Sequence, residues 1–410
     1  MSEKDNDKLK PAEENPWYVL ATIYGEEPDF LIQSKNLRAW NAWATQELND
    51  EEKQRIILEN NFLMVPFANW DGVKDEVTEL FGKRLPNLEL PEPGYIFFNN
   101  IEFSKEVDLS NYIFTGPVIF DNTVFLSQAS FSYSHFKEFI SFDCTIFKQS
   151  VEFNKATFSS ETFFRDTIFQ RSVNFTGTVF EGDVNFSVEF EEESSFYHCS
   201  FNERINLMTS KFKNAYPVLI GANLDEKAIF PFSKNWPKLY NCEQNSFEAK
   251  ESCATLRHIM NLQGRSEQAH FFFRREMQFA SKIGSVWQRF PYLLFGWFSD
   301  YGHSLKRPTW ALAMLWFFPA MVYWPYLYIG GYTDIFNLEF WNSVARTSVL
   351  SSGLSLGNLF QFTGLQRVYL IDIIKELPWG LKFLGGAQTL LAIPLLFLLL
   401  LGLRNRFRLK

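Results

Sequence analysis

The sequence is poor in the residues that catalysis and metal binding require. It has four cysteines and five histidines in 410 residues. Cys144, Cys199, Cys242 and Cys253 form no CxxC pair, and no histidines cluster at ligand spacing. Neither a metal site nor a disulfide framework is expected, and the thiols suit a reducing, cytosolic compartment. There is no GxSxG elbow, no glycine-rich phosphate loop and no HExxH helix, so no enzymatic activity and no cofactor are expected. Positive charge is also short: 39 Lys and Arg stand against 47 Asp and Glu, a net charge of −8. A nucleic-acid binder needs clustered cations to displace phosphate counterions, so nucleic acid is not an expected partner. An apolar signal segment is missing from the front. Residues 1–14 are charged and polar and read as a disordered tail, which leaves any membrane insertion to later segments.

Phenylalanine, by contrast, is abundant, with 46 copies. From Phe98 to Phe212 a large apolar residue, nearly always Phe, recurs at alternating steps of five and six. The central members are Phe142, Phe147, Phe153, Phe158, Phe164, Phe169, Phe175 and Phe180, and the rhythm slips by one residue between Phe186 and Phe190. An 11-residue unit fits neither the helical period of about 3.6 nor the strand period of about 2. The residue two before each rail position is usually small or β-branched, as at Thr123, Ser134, Thr145, Ala156 and Thr178. Positions i and i−2 of a short strand share a side, so both are expected to face a core. Cys199 holds the same kind of position and reads as core.

Two units illustrate the pattern: Val151-Glu152-Phe153-Asn154-Lys155-Ala156-Thr157-Phe158 and Val173-Asn174-Phe175-Thr176-Gly177-Thr178-Val179-Phe180. They resemble the pentapeptide-repeat family in its Phe-rich variant, and Ala222-Asn223-Leu224 resembles the family's commoner unit. The resemblance implies an all-β fold over residues 95–225, a right-handed, quadrilateral β-helix with two 11-residue units per coil. A solenoid needs capped ends. Residues 15–94 are expected to form an N-terminal α/β cap. Asn15 to Gly25 reads as a strand or tight turn, Asn36 to Leu48 as a helix whose Trp40 and Trp43 pack inward, and Asp71 as the cap of a further helix. The Asn15-Pro16-Trp17-Tyr18 segment resembles the front ends of membrane-tethered members of the family.

Residues 226–307 read as a helical connector and interfacial segment. Ala254–Leu262 and Ser266–Ser281 form an expected helical pair broken at Gly264, with Arg274, Arg275 and Glu276 as candidates for coupling the solenoid to the apolar C-terminal segments. Phe290 to Gly302 is rich in aromatics and suits a membrane interface.

Residues 308–410 read as a two-span membrane module. Residues 308–329 and 383–403 carry no charge over 22 and 21 residues, enough to cross about 30 Å of hydrocarbon as helices. Lys306 and Arg307 precede the first run; Arg404, Arg406, Arg408 and Lys410 follow the second. Basic flanks stay cytoplasmic, so both termini are expected inside a multi-pass inner (plasma) membrane protein whose first partner is the lipid bilayer. Between the runs, Thr347 to Gln366 carries no charge and is rich in Ser, Gly and Thr, and residues 336–366 read as a re-entrant loop: a short helix from Phe336 to Val349, then a polar turn. Span, re-entrant helix, turn and span resemble the layout of two-span ion channels, though Ser352 to Gly357 stands in place of the potassium filter. That layout implies a pore lined by Thr347, Ser348, Ser351, Ser352, Gly353, Ser355, Gly357 and Asn358 in a homo-oligomer, a tetramer by analogy. Gln388 and Thr389 on the second run would line such a pore or hydrogen-bond a neighbouring helix. The sequence leaves open an ion-channel-like sensor gated by its solenoid, a non-conducting scaffold whose solenoid binds a protein, and a membrane-disrupting stress or defence effector.

Overall fold

The computed structural model describes residues 9–59, 69–238, 244–329, 340–364 and 370–408, without the side chains of 57–59, 340–343 and 408. Cys242, residues 1–8 of the expected tail, and residues 336–339 and 365–366 of the expected re-entrant loop lie outside the described residues. The chain divides into two units, residues 1–279 and 280–410. The boundary falls inside the expected connector.

In the first unit, Lys10–Pro11 pairs in parallel with the strand Ile101–Phe103, and Ala12–Glu14 forms a 3-10 turn. Residues 10–14 are therefore a strand and a turn, not part of a disordered tail: pairing satisfies their backbone. Helix α1 (Pro16–Ala21) replaces the expected strand or turn. Asn15 caps it by accepting from the Tyr18 N–H at 3.0 Å, and Pro16 sits at the first helical position, where its missing N–H costs nothing. Helix α2 (Phe30–Ala44) starts ahead of Asn36 because Asp29 caps it through the N–H groups of Leu31 and Ile32. Helix α3 spans Asp50–Glu59. The cap of α4 (Trp70–Arg84) is Asn69, and Asp71 lies in its first turn, where a carboxylate favours the helix dipole.

Helix α2 seals the first coil by imitating a strand. The Asn41 side chain donates to the Asn111 carbonyl at 3.1 Å and accepts from the Ile113 N–H at 2.9 Å. Trp40 Nε1 donates to the Ile113 carbonyl at 2.9 Å, and Trp40 and Trp43 are fully buried. Edge groups that could pair with another chain are thereby satisfied.

The coil itself is a parallel β-solenoid of about five turns. Strands of mostly two residues pair with those one coil away: Ile140 with Val118 and Thr162, Val151 with Ala129 and Val173, Thr157 with His135 and Val179. Every rail residue from Phe98 to Phe212 is at most 3% exposed. The rings stack along the axis in columns. One runs Phe98–Phe120–Phe142–Phe164–Phe186, and another Phe103–Phe125–Phe147–Phe169–Phe190–Phe212. Their centroids are 4.6–5.5 Å apart and their planes within 14°. That separation is close to the spacing of paired strands, so each column gains one ring per coil and the rings stay in contact along the axis.

The turns have their own rule. Asn100, Asn111, Asn122, Tyr133, Cys144, Lys155, Asp166 and Gly177 recur every 11 residues with φ between 54° and 68°. This left-handed corner suits Asn and Gly and disfavours β-branched residues. The slipped unit is absorbed there: Arg165 pairs with Ser187 and Thr167 with Val188, so Asp166 bulges without a partner. Trp236 ends one column by stacking on Phe212 at 4.9 Å. Helices α5 (Ser246–Leu262) and α6 (Ser266–Ala280) follow, separated at Gly264 with φ 69°. Ser252 of α5 accepts from the Leu219 N–H at 3.1 Å on the last coil.

The second unit is helical: α7 (Val286–Ser299), α8 (Lys306–Ile329), α9 (Phe340–Leu359), α10 (Ile371–Glu376) and α11 (Trp379–Arg408). Helices α8 and α11 are long and apolar enough to cross a membrane. In their most apolar stretches only 28% and 17% of residues are buried, and Phe318, Met321, Leu390 and Phe397 are exposed. Helix α9 overturns the expected polar turn. It runs unbroken through Ser352, Gly353 and Gly357 to Leu359, and the chain turns only at the 3-10 segment Gln361–Thr363. The helix persists because its polar side chains find partners on its neighbours.

Candidate functional site: the polar seam between α8, α9 and α11

Thr347, Ser351, Ser355 and Asn358 are spaced four, four and three residues apart, which puts them on one side of α9. All four are buried. Gln388 of α11, 1% exposed, is the hub of the seam. Its Nε2 donates to the Leu315 carbonyl at 3.0 Å, the Ser355 carbonyl at 2.9 Å and Ser355 Oγ at 2.6 Å. Its Oε1 accepts from Asn358 Nδ2 at 3.0 Å. Asn358 also donates to the Tyr323 hydroxyl at 3.2 Å, and its carbonyl accepts from Thr389 at 2.9 Å. Ser355 Oγ donates to the Trp316 carbonyl at 2.6 Å, while Trp316 Nε1 donates to the Ser352 carbonyl at 3.2 Å. Gly385 leaves room for the seam: a Cβ there would meet Asn358 Nδ2 at 3.2 Å and the Tyr323 oxygen at 3.3 Å.

The expected pore residues therefore separate into two groups. Thr347, Ser351, Ser355, Gly357 and Asn358 are buried, and Ser348, Ser352 and Gly353 are partly exposed. Gln388 and Thr389 bond neighbouring helices, one of the two roles their sequence allowed. Tyr323 and Trp316 escaped the sequence reading because both lie in an aromatic run where nothing distinguishes a partner from a belt residue. The four-four-three spacing on α9 was the available signal.

Among the expected coupling residues, Glu276 is 8% exposed and pairs with Arg257 of α5 at 2.7 Å. Arg275 lies 5.3 Å over the Phe271 ring and donates to Gln278, and Arg274 is half-buried. Glu276 thus ties α6 to α5. A cavity of about 570 Å³ beside α1 and α2, reached by Tyr18, Glu26, Lys105 and Asp108, was not foreseen. Lys105 bridges Glu26 at 2.7 Å at its rim, and the distance in sequence between these residues hid it. No group of three or more His, Cys, Asp or Glu suited to a metal occurs among the described residues.

Residues 142–188 match the family of pentapeptide repeats, with nine copies. No curated protein and no solved structure matches the chain. The solenoid is a pentapeptide-repeat solenoid, Phe-rich in its core, and the same chain carries two helices long and apolar enough to span a membrane.

Proposed function

We propose that this protein is a membrane-anchored, non-enzymatic scaffold whose solenoid binds a protein partner on the cytoplasmic side. The observation that carries the reading is the polar seam. A pore between subunits needs polar groups free to face a shared axis, whereas Ser355, Asn358 and Gln388 bond one another within one chain. Buried polar side chains used this way hold helices together in a bilayer, and the uncovered apolar sides of α8 and α11 suit lipid. Asn405 Nδ2 donates to the Gly302 carbonyl at 3.3 Å, which sets the basic end of α11 beside the basic start of α8. Cations gathered at one end favour a cytoplasmic location for that end. A surface for the partner is available on one face of the solenoid, where Tyr95 and Phe97 are exposed and stack at 5.8 Å beside Phe139. Exposed aromatics of this kind are enriched at protein interfaces.

The experiment is a current recording across planar bilayers holding the purified full-length protein. The scaffold reading expects no discrete conductance steps. Steps whose size changes when Ser352 is replaced by Ala would overturn it in favour of a channel lined by the exposed side of α9.

A further inference from the structure

The outer surface of the second unit carries a feature that the seam does not use. Where α7 meets the start of α8, Trp297, Phe298, Lys306, Arg307 and Trp310 line a notch of about 560 Å³. The notch shares Phe298, Ala311 and Met314 with a groove of about 790 Å³ bounded by α7, α8 and α11. The groove is walled by hydrocarbon, including Phe295, Leu315, Phe318, Leu391 and Leu398. One end of this continuous space is cationic and aromatic, and the rest is apolar.

The polar end is free to receive an anion. Lys306 is exposed and has no hydrogen bond or ion pair among the described residues. Arg307 is exposed and is held in place by donating to the Gly296 carbonyl at 2.8 Å, which uses part of a fork with five donors. The apolar part has the length of one leaflet. From Trp310 to Pro319 the helix rises roughly 13 Å at about 1.5 Å per residue, near half of the ~30 Å hydrocarbon core. Helix α7 continues the same surface: Val286, Phe290, Leu293 and Trp297 are all at least 50% exposed and fall on one side of the helix. That pattern is typical of a helix lying in the headgroup layer.

We propose that notch and groove form one site for an anionic phospholipid, with its phosphate at Lys306 and Arg307 and one acyl chain along the groove. Trp297 and Trp310 flank the headgroup at the depth that indole rings favour. A free phosphate would use the notch alone, whereas the groove commits the site to a lipid. This inference rests on the reading that α8 and α11 cross a bilayer.

The test is native mass spectrometry of the full-length protein in mild detergent, with phosphatidylglycerol or phosphatidylcholine of matched chains added. Phosphatidylglycerol should be retained in preference. Lys306→Gln should weaken its retention roughly fivefold, the effect of one cation near a lipid surface. Met314→Trp, which fills the groove, should lower retention of both lipids. Equal retention of the two lipids, indifference to both variants, or displacement by millimolar inorganic phosphate would overturn the site. Urea extraction of membranes separates this failure from that of the anchor. Protein washed out of the membrane fraction removes the anchor and the site together, while protein that stays in the membrane without lipid preference overturns the site alone.

Discussion

Thr145 shows what a buried hydroxyl does in this coil. Its Oγ1 donates to the Phe120 carbonyl, 25 residues earlier, at 2.8 Å. Thr123, Ser134, Thr167 and Thr178 repeat the bond to Phe98, Leu109, Phe142 and Phe153. The sequence marks these positions as small and inward, but a residue's size says nothing of the carbonyl one coil away that it must satisfy. Thr145→Val keeps the shape and removes the donor. It should destabilise the solenoid by about 1–3 kcal/mol in urea titrations, the cost of leaving a buried carbonyl short of a partner. No change in midpoint would mean that the hydroxyls only fill space. His135, also buried, has its pKa lowered to about 4 by burial and then by Lys137. A folded value below the unfolded one of about 6.5 means that the unfolded chain takes up the proton first. The stability His135 contributes is complete above pH 6.5 and is lost as pH falls toward 4. His135→Gln should therefore flatten the pH dependence of the urea midpoint across that window, after subtraction of the carboxylates that titrate beside it. An unchanged slope would assign the acid sensitivity to those carboxylates instead.

At the scale of elements, legibility followed the strength of the period. The Phe rail made the coil legible because its 11-residue unit fits neither a helix nor a plain strand and resembles the Phe-rich pentapeptide repeat. Helix α6 was legible from its apolar face and from Gly264, whereas α5 was expected only from Ala254 and begins at Ser246, where Asn245 caps it by accepting from the Phe247 N–H. Helix α1 was not, because Trp17, Tyr18, Val19 and Leu20 form a short apolar run with no period of its own, and the Asn15 cap decides the matter. Helix α9 was misread for a related reason. Ser and Gly weaken a helix in water, but here Ser355 and Asn358 find acceptors and donors on α8 and α11. The seam can be tested through its hub. Gln388→Leu deletes the donor to Ser355 and the acceptor for Asn358 and should cost about 1–2 kcal/mol in detergent unfolding titrations, in line with interhelical hydrogen bonds in bilayers. A neutral or stabilising result would show that packing alone assembles the three helices.

At the scale of the whole molecule, charge and thiol placement bear on the same question, the side of the membrane on which the solenoid lies. The sequence reads as an acidic solenoid and a basic helical end, and the expected orientation follows from the basic flanks of the two apolar runs; the hydrogen bond from Asn405 to the Gly302 carbonyl adds that two of those flanks lie side by side. Cys144 provides a reporter, since it sits exposed at a left-handed corner while Cys199 and Cys253 are buried. Burial and the neighbouring Asp166, Asp143 and Asp121 carboxylates push its thiol pKa up, so labelling needs mildly alkaline buffer, where the thiolate becomes available. In a chain carrying Cys242→Ser, a membrane-impermeant maleimide should leave Cys144 unmodified in intact cells and label it once the membrane is opened. Labelling from outside would place the solenoid on the opposite face and overturn the cytoplasmic scaffold. Protection that disappears on opening the membrane would place the aromatic face around Tyr95 and Phe97 where a cytosolic protein could reach it.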